Sequence, residues 1–277
     1  MIVGPICRLC PHECSPTDGD SGLCRARVRR GDQIVCANYG YVTSMALDPI
    51  EKKPLLHFFP GSKILSIGSF GCNLFCPFCQ NASISRADIH STESFYVSPE
   101  SLVSKAKSLV ASGNIGIAFT YNEPLVGYEY VMDAAMLAKK NGLKTVVVTN
   151  AYINEKPLRD LLPYIDAMNI DLKAADDAGY RSLGGSLEPV RRSIEIASKS
   201  CHVEVTSLIV PGLCDSEASM RVTAGYLATV NPSIPLHVTR FFPHYKALDK
   251  SPTPVETVIH LASVAKEYLK FVHTGNI

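Results

Sequence analysis

The stretch from Ile64 to Asn81 reads I-L-S-I-G-S-F-G-C-N-L-F-C-P-F-C-Q-N and joins a short apolar run to three closely spaced cysteines. The run at its start has the length and composition of a buried strand. After it, Cys72, Cys76 and Cys79 stand at C-x3-C-x2-C spacing. Three thiolates on one loop can hold three corners of a cubane iron–sulfur cluster, whereas most [4Fe–4S] sites use four cysteines. The spacing therefore indicates a cluster that leaves one iron open for a substrate or cofactor.

The same three cysteines could instead form a zinc knuckle or stand as three buried thiols. A zinc site requires a fourth Cys or His close by, and the next histidine in the sequence is His90. The iron–sulfur interpretation is therefore favoured.

The composition is that of an ordinary globular protein of 277 residues, with 46% hydrophobic and 19% charged residues. The net charge of +1 gives no sign of nucleic-acid binding. The sequence contains no run of about 18 apolar residues that could span a membrane, and Met1–Pro11 lacks the apolar region of a signal peptide. Ten cysteines without an export signal argue for a reducing compartment and for metal binding. We therefore expect a cytoplasmic protein that binds neither nucleic acid nor membrane.

A second group of cysteines lies near the start of the chain at C-x2-C-x3-C-x9-C spacing. Its members are Cys7, Cys10, Cys14 and Cys24. Four soft ligands separated by Pro and Gly turns can close around Zn²⁺, and the same four can hold an auxiliary iron–sulfur cluster. His12 could replace one of them. The sequence leaves zinc and cluster open, and it favours a structural or electron-relay role over catalysis.

From Lys63 onward, apolar runs rich in β-branched residues alternate with segments of helical periodicity, which indicates repeated βα units and a parallel sheet. We predict an α/β fold in which residues 61–277 form a partial (β/α)6 TIM-like barrel. Residues 1–60 would form a small Cys-rich module and a linker, the linker being the Pro-rich segment that starts at Asp48. The predicted strands are 64–69, 115–120, 144–149, 167–171, 202–210 and 236–241, with a terminal strand at 271–273.

Parallel βα folds place their chemistry at the carboxyl ends of the strands. Taken alone, each polar residue there has an ordinary structural role, such as a helix cap for Glu123 or a turn for Asn150. Asp171 and Lys173 could form a surface ion pair. Their gathering on the face that carries the cysteine loop nevertheless favours a binding site for a charged cofactor. The polar residues predicted at these strand ends are Glu123, Asn150, Asp171, Lys173, His237 and Arg240.

The loop G-C-N-L-F-C-P-F-C-Q-N at 71–81, with Phe78 before its last cysteine, resembles the signature of the radical S-adenosylmethionine (radical SAM) superfamily. The chain from Lys63 onward is similar to the pyruvate formate-lyase activating enzyme branch of that superfamily. The segments that carry this similarity are the cysteine loop, T-N at 149–150, D-L-K at 171–173, V-P-G at 210–212 and H-T-G-N at 273–276. A resemblance to the AmmeMemoRadiSam family covers the whole chain, through C-R-L-C-P-H-E-C at 7–14, D-P-I-E-K-K-P-L at 48–55 and H-V-T-R-F-F-P at 237–243.

These resemblances imply a [4Fe–4S] cluster on the three-cysteine loop, with the open iron taking the amino and carboxylate groups of SAM. Glu123 would accept from the amine of SAM, and Lys173 or Arg240 would pair with its carboxylate. Asn150 and Asp171 would bind the ribose, and the backbone from 78 to 80 the adenine. The implied cofactor-binding residues are Phe78, Gln80, Asn81, Glu123, Asn150, Asp171, Lys173, His237 and Arg240.

The implied reaction is reductive cleavage of SAM to methionine and a 5′-deoxyadenosyl radical, driven by an external one-electron reductant of the ferredoxin or flavodoxin type. The radical would abstract hydrogen from a protein substrate, as in glycyl-radical activation, with AMMECR1-type and Memo-type proteins as candidate partners. One alternative is radical modification of a small molecule inside the barrel. Another is a non-catalytic iron–sulfur electron carrier, which would leave the polar strand ends unexplained.

Overall fold

An eight-stranded sheet forms the centre of the protein in this computed structural model, which describes residues 4–277. The described strands are β1 (Arg27–Arg30), β2 (Gln33–Cys36), β3 (Tyr41–Val42), β4 (Ser44–Pro49), β5 (Lys63–Gly68), β6 (Phe95–Tyr96), β7 (Asn114–Phe119), β8 (Lys144–Thr149), β9 (Ala167–Asp171), β10 (His202–Ile209), β11 (Leu236–Arg240) and β12 (Val272–Gly275). The sheet has the order β12-β11-β10-β9-β8-β7-β5-β4. Its strands from β5 to β12 pair in parallel, and β4 runs antiparallel at one edge.

Helices cover the outer face of this sheet and bury their apolar sides against it. The local sequence sets their ends: α2, for example, begins with Pro99 after Ser98, whose side chain accepts a hydrogen bond from Ser101 N. The described helices are α1 (Ala82–Ser85), α2 (Pro99–Ser108), α3 (Tyr128–Lys140), α4 (Glu155–Leu161), α5 (Asp177–Ser182), α6 (Leu187–Ala197), α7 (Glu217–Val230) and α8 (Val255–Ala265). None of the helices in residues 4–277 is long and apolar enough to cross a lipid bilayer.

This architecture confirms the predicted fold class, a partial barrel of parallel βα units. The order of strands leaves β4 and β12 at opposite ends of the sheet, so the barrel is not closed by pairing within the described residues. All the parallel strands end at one face, and the three-cysteine loop follows β5 on that face.

The interpretation of the segment after Asp48 as a linker is wrong. Strand β4 belongs to the barrel sheet and pairs with β5 along its whole length. Beyond it, Ile50 and Leu55 are fully buried in an apolar cluster with interior residues such as Ile64 and Val146. The segment 50–60 therefore fills the amino-terminal end of the barrel, and the sheet begins before the predicted boundary at residue 61.

A buried carboxylate holds this plug segment, residues 50–60, in place. Glu204 on β10 is fully buried and accepts hydrogen bonds from Leu56 N at 3.0 Å and from His57 N at 2.8 Å. Its oxygens also lie 2.9 Å from His202 Nε2 and 2.7 Å from His237 Nε2. Burial would raise the pKa of Glu204, but these hydrogen bonds lower it to about 2.

His237 is consequently not one of the strand-end residues, and its predicted place beside the cofactor is wrong. It is the second residue of β11 and lies in the amino-terminal half of that strand, where its ring bonds to Glu204 and contacts the ring of His273. Because it lies three residues before the end of β11, its side chain lies deeper in the barrel than the side chains at the strand ends. His57, in the plug segment, joins the same group through a 2.8 Å contact between its Nε2 and that of His273.

Replacing Glu204 by Gln should loosen the plug segment, because the amide presents a donor where four donors already converge. We expect the free energy of unfolding at pH 7 to fall by about 2–4 kcal/mol. The pKa of Glu204 is lower in the folded state than its usual 4.5, so its stabilising contribution is present above pH 4.5 and is lost as the pH falls towards 2. Urea unfolding at several pH values measures both effects, with the exposed Glu195→Gln as the matched control. An E204Q protein as stable as E195Q would contradict the assignment.

Candidate active site

The three-cysteine loop leaves β5 and runs across the carboxyl end of the barrel. Its start is fixed by the side chain of Asn122, which donates to Phe70 O at 3.1 Å and to Gly71 O at 3.0 Å. The same side chain accepts from Ser69 N at 3.0 Å. One amide on the neighbouring strand end therefore sets the path of the backbone into Cys72.

The thiols of this loop are largely withdrawn from solvent. Burial, with a contribution from the nearby carboxyl of Glu123, raises the pKa of Cys72 to about 12. Burial also raises the pKa of Cys76, against the opposing influence of the Lys173 ammonium. Thiols in such surroundings lose their protons and become thiolates when a metal cation binds to them. Three thiols on one loop, with Lys173 and Arg86 nearby, fit the donor set of an iron–sulfur cluster.

Glu123 links the ends of β7 and β8. Its side chain is buried, with Oε1 accepting from Thr149 Oγ1 at 2.6 Å and from Leu125 N at 3.0 Å. Its Oε2 accepts from Asn150 N at 2.8 Å. Burial raises the pKa of this carboxyl to about 7. Glu123 thus caps the short turn Pro124–Gly127, the ordinary role weighed from sequence, and it also supports the loop after β8.

A pair of asparagines connects this loop to the cysteines. Asn150 Nδ2 lies 3.0 Å from Asn73 Oδ1 and 3.6 Å from Cys72 Sγ. Asn73 Nδ2 in turn donates to Tyr152 O at 2.7 Å. Asn73 lies in the cysteine motif but is not among the predicted site residues, because its partners Asn150 and Tyr152 are far away in sequence.

Asp171 and Lys173 form a half-buried ion pair of 2.9 Å at the end of β9. The pKa of Lys173 is raised because Asp171 and Cys76 stabilise the ammonium more than burial disfavours it. This cation therefore lies beside the cysteine loop. The ammonium of Lys173 is better placed to bind an anion at this loop than it would be in an exposed surface ion pair, the ordinary role that the sequence also allowed.

The remaining predicted cofactor contacts occupy the same face. Phe78 is buried edge-on against Phe241, and Gln80 is exposed. Asn81 Nδ2 donates to Tyr121 O at 2.7 Å. Arg240 is the last residue of β11, and its Nε donates to Thr253 O at 2.7 Å. Their contacts with a cofactor stay predictions.

Two residues at these strand ends have left-handed backbone, which is uncommon for residues with a side chain. They are Tyr121 after β7, with φ 72°, and Ala151 after β8, with φ 52°. Backbone strain of this kind concentrates at functional sites. Tyr121 lies two residues before Glu123, and Ala151 follows Asn150, whose N–H donates to Glu123, so both agree with a site at this face.

The four amino-terminal thiols come together behind the three-cysteine loop and line one pocket with Arg27 and Asn73. His12 was predicted as an alternative ligand, but its Nε2 lies 2.7 Å from Asn73 O and is already engaged. In residues 4–277, no set of three or more Cys, His, Asp or Glu side chains surrounds a point where one metal ion would bind to all of them. In an iron–sulfur cluster each cysteine binds a different iron, so the cysteines do not have to surround one common point. The statement about single metal ions therefore does not apply to a cluster.

Comparison with known proteins identifies the family. Residues 66–223 match the model of the radical SAM superfamily, and the chain belongs to that superfamily. It is therefore a radical SAM enzyme, with a [4Fe–4S] cluster and SAM as cofactors.

One similar protein is an uncharacterised protein of Methanocaldococcus jannaschii, 38% identical over 98% of this chain and 81% of its own length. The pyruvate formate-lyase-activating enzyme of Clostridium pasteurianum is 25% identical over 58% of this chain and 67% of its own. SuiB of Streptococcus suis, solved with SAM, shares the fold with a TM-score of 0.60 and 14% identity, covering 76% of this chain and 51% of SuiB. The resemblance to radical SAM enzymes of the activating type is thus confirmed.

Replacing Cys76 by Ala should remove one of three cluster ligands. We expect iron bound at this loop to be lost and 5′-deoxyadenosine formation from SAM under dithionite to fall below detection. Iron analysis and liquid chromatography of the anaerobic reaction test this. Cys201→Ala, at a half-buried cysteine that bonds to Ala197 O, is the matched control and should retain both. Full turnover by the C76A protein would exclude this loop as the cluster site.

Glu123 gives a prediction about pH. A carboxyl whose pKa is about 7 is ionised only above that pH, and the ionised form is the stronger acceptor for the amino group of SAM, so affinity should fall as the pH drops below about 7. In Glu123→Gln this dependence should disappear, and affinity at pH 8 should be about tenfold weaker. Equilibrium dialysis of reconstituted protein measures the Kd, with the exposed Glu93→Gln as control. An unchanged pH profile in E123Q would remove Glu123 from SAM binding.

Proposed function

We propose that this radical SAM enzyme acts on a protein, generating a radical or a radical-derived modification on a segment that reaches the mouth of the barrel. With the cluster and SAM bound, reductive cleavage of SAM supplies the 5′-deoxyadenosyl radical that abstracts the hydrogen. The protein itself contributes the binding, the orientation and the exclusion of water.

The residues at the strand ends divide these tasks. Cys72, Cys76 and Cys79 hold the cluster. Glu123 accepts from the amine of SAM, while Lys173, paired with Asp171 and close enough to Cys76 for the two charges to interact, receives the carboxylate.

The other strand-end residues would bind the rest of the cofactor. Asn150 and Asp171 face the ribose, and the backbone from 78 to 80 binds the adenine. Arg240 ends β11 next to Phe241, whose ring contacts Phe78 of the cysteine loop, and it is the alternative partner for the carboxylate of SAM. Asn81 fixes the exit of the cysteine loop through its bond to Tyr121 O.

The observation that supports a protein substrate is an exposed apolar rim beside the cysteine loop. The loop after β11 is tied to the cysteine loop by a 2.8 Å hydrogen bond from Lys246 N to Pro77 O. This loop contains Tyr245, 40% exposed, and Leu248, 71% exposed. Phe75, in the cysteine loop itself, is 39% exposed. Aromatic and aliphatic side chains grouped at a rim are typical of protein-binding surfaces.

The similar proteins agree with this choice. The Clostridium pasteurianum relative is named for activating pyruvate formate-lyase, which is itself a protein. SuiB has also been solved with its precursor peptide SuiA. The resemblance to the AmmeMemoRadiSam family makes AMMECR1-type and Memo-type proteins the first candidate substrates or partners, and a flavodoxin- or ferredoxin-type protein the reductant.

Deuterium transfer distinguishes a protein substrate from a small molecule. Lysate from cells grown in deuterated medium is divided by dialysis into macromolecular and small-molecule fractions, and each is incubated anaerobically with the enzyme and unlabelled SAM. We expect deuterated 5′-deoxyadenosine only with the macromolecular fraction, and its loss after protease treatment. Cys76→Ala is the control for label unrelated to the enzyme. Deuterium transfer from the small-molecule fraction alone would favour chemistry on a small substrate inside the barrel.

Leu248→Asp tests the rim directly. A charge at this exposed position should weaken the docking of a protein and reduce deuterium transfer from the macromolecular fraction about tenfold. Formation of 5′-deoxyadenosine from SAM in the absence of substrate measures whether the site itself is intact. Equal transfer by the L248D and unaltered enzymes would show that this rim takes no part in docking.

A further inference from the structure

We propose that Cys7, Cys10, Cys14 and Cys24 hold an iron–sulfur cluster that receives electrons from the external reductant and passes them to the cluster on Cys72, Cys76 and Cys79. The inference goes beyond the choice of substrate, because it concerns how the enzyme is reduced. It rests on four independent features of the amino-terminal pocket.

The first feature is direct contact between the two cysteine groups. Cys72 N donates to Cys24 O at 3.2 Å, so one main-chain hydrogen bond links a ligand of each site. The two loops approach so closely that Gly71 cannot be replaced: its φ is +89°, and an added Cβ would lie 2.5 Å from Cys24 O. Asn73 lines the amino-terminal pocket and bonds to Asn150 beside Cys72. Electrons therefore have a short path with a single hydrogen bond.

The second feature is an unpartnered donor. Arg27 lines the pocket, its side chain is only 9% exposed, and its Nε is buried without a hydrogen-bond partner among the described residues. Both of its terminal nitrogens are occupied by Glu129. A buried N–H costs free energy when it is left unpaired. Sulfide or thiolate in the pocket would accept from it, and such bonds to sulfur tune the reduction potential of a cluster.

The third feature is that the module docks without help from a metal. Arg27 pairs with Glu129 on α3, Asn38 Nδ2 donates to Phe70 O at 2.9 Å, and Asn154 N donates to Leu9 O at 3.0 Å. Cys7 and Leu9 already belong to the main apolar core. A structural zinc is most needed where a segment has no other stabilising contacts. This segment already has several contacts with the barrel.

The fourth feature is access from outside. Cys14 is half-buried, while Ile6 is 40% and Leu23 is 48% exposed. Arg8 and Arg25 are exposed nearby in sequence, and so are Glu13 and Asp18. Apolar side chains around a ligand that nearly reaches the surface suit the docking of an electron-transfer protein.

The step is a transfer of one electron at a time. The reduced flavodoxin- or ferredoxin-type donor is oxidised by one electron, and the amino-terminal cluster is reduced by one. That electron then moves to the cluster at the barrel mouth, which returns the amino-terminal cluster to its starting state. No bond is made or broken, and no proton is transferred.

Iron content and electron paramagnetic resonance test the site without any substrate. In the triple variant Cys72→Ala, Cys76→Ala and Cys79→Ala, anaerobic reconstitution should leave about four irons per chain and a signal on reduction by dithionite, as expected for a [4Fe–4S] cluster. In the quadruple variant Cys7→Ser, Cys10→Ser, Cys14→Ser and Cys24→Ser, a similar iron content should remain at the other loop. Zinc in place of iron in the triple variant, with no paramagnetic signal, would overturn the proposal.

The choice of reductant tests the electron route. We compare 5′-deoxyadenosine formation driven by reduced flavodoxin with that driven by dithionite, a small molecule that needs no docking site. In the quadruple variant the flavodoxin-to-dithionite ratio should fall about tenfold or more relative to the unaltered enzyme. An unchanged ratio would show that electrons bypass the amino-terminal site. No substrate is added in this experiment. A negative result would therefore count against the electron route and not against the proposal that the substrate is a protein.

Arg27→Lys keeps the test informative if the quadruple variant does not fold. Lysine retains the charge opposite Glu129 but lacks the Nε–H. Introduced into the triple variant, it should lower the reduction potential in a dye-mediated titration followed by paramagnetic resonance. Arg30→Lys, at an exposed position of the same hairpin, should leave it unchanged. Equal reduction potentials in R27K and R30K would show that Arg27 does not donate a hydrogen bond to the cluster.

Discussion

The buried carboxylate of Glu123 is the interaction on which the upper face of the barrel depends. Parallel strands end side by side, but nothing in the sheet itself fixes the loops that follow them. Glu123 supplies that link, because its two oxygens bind a hydroxyl and two backbone amides from the ends of β7 and β8. Its neighbour Asn122 holds the backbone that leads into the cysteine loop. One dipeptide therefore positions three consecutive loops.

The lower end of the barrel uses a similar device. Glu204 collects donors from two histidines and from the backbone of the plug segment, and Asn169 Nδ2 donates to Pro54 O at 2.9 Å. Ile50 and Leu55 fill the space between these polar contacts. The barrel thus has apolar packing around it and buried polar groups at both ends of its interior, each group satisfied by backbone from another element.

Much of the architecture follows from the sequence, because alternating apolar runs and capped helices have clear periodic signals. The strands from β7 to β11 agree with the predicted ranges to within about one residue. The plug segment was misread because its prolines suggested a linker, while its buried residues, such as Ile50 and Leu55, show no regular period. Only the tertiary structure shows what they pack against.

The site was predictable to the extent that its residues lie at strand ends. Cys72, Glu123 and Asp171 stand where the rule for parallel folds places them. His237 failed the same rule because a shift of a few residues along β11 moves a side chain from the mouth to the lower interior. The roles of Asn73 and Asn122 depend on contacts between separate loops, which no local pattern records.

The plug segment also limits how molecules reach the interior of the barrel. The plug segment, which precedes the first parallel strand, fills the lower end of the barrel. The 2.8 Å contact between His57 and His273 ties it to the last strand, β12. The lower end of the barrel is therefore filled, so molecules enter and leave the interior at the face that carries the cysteine loop or through the side between β4 and β12, which is unpaired in the described part of the chain.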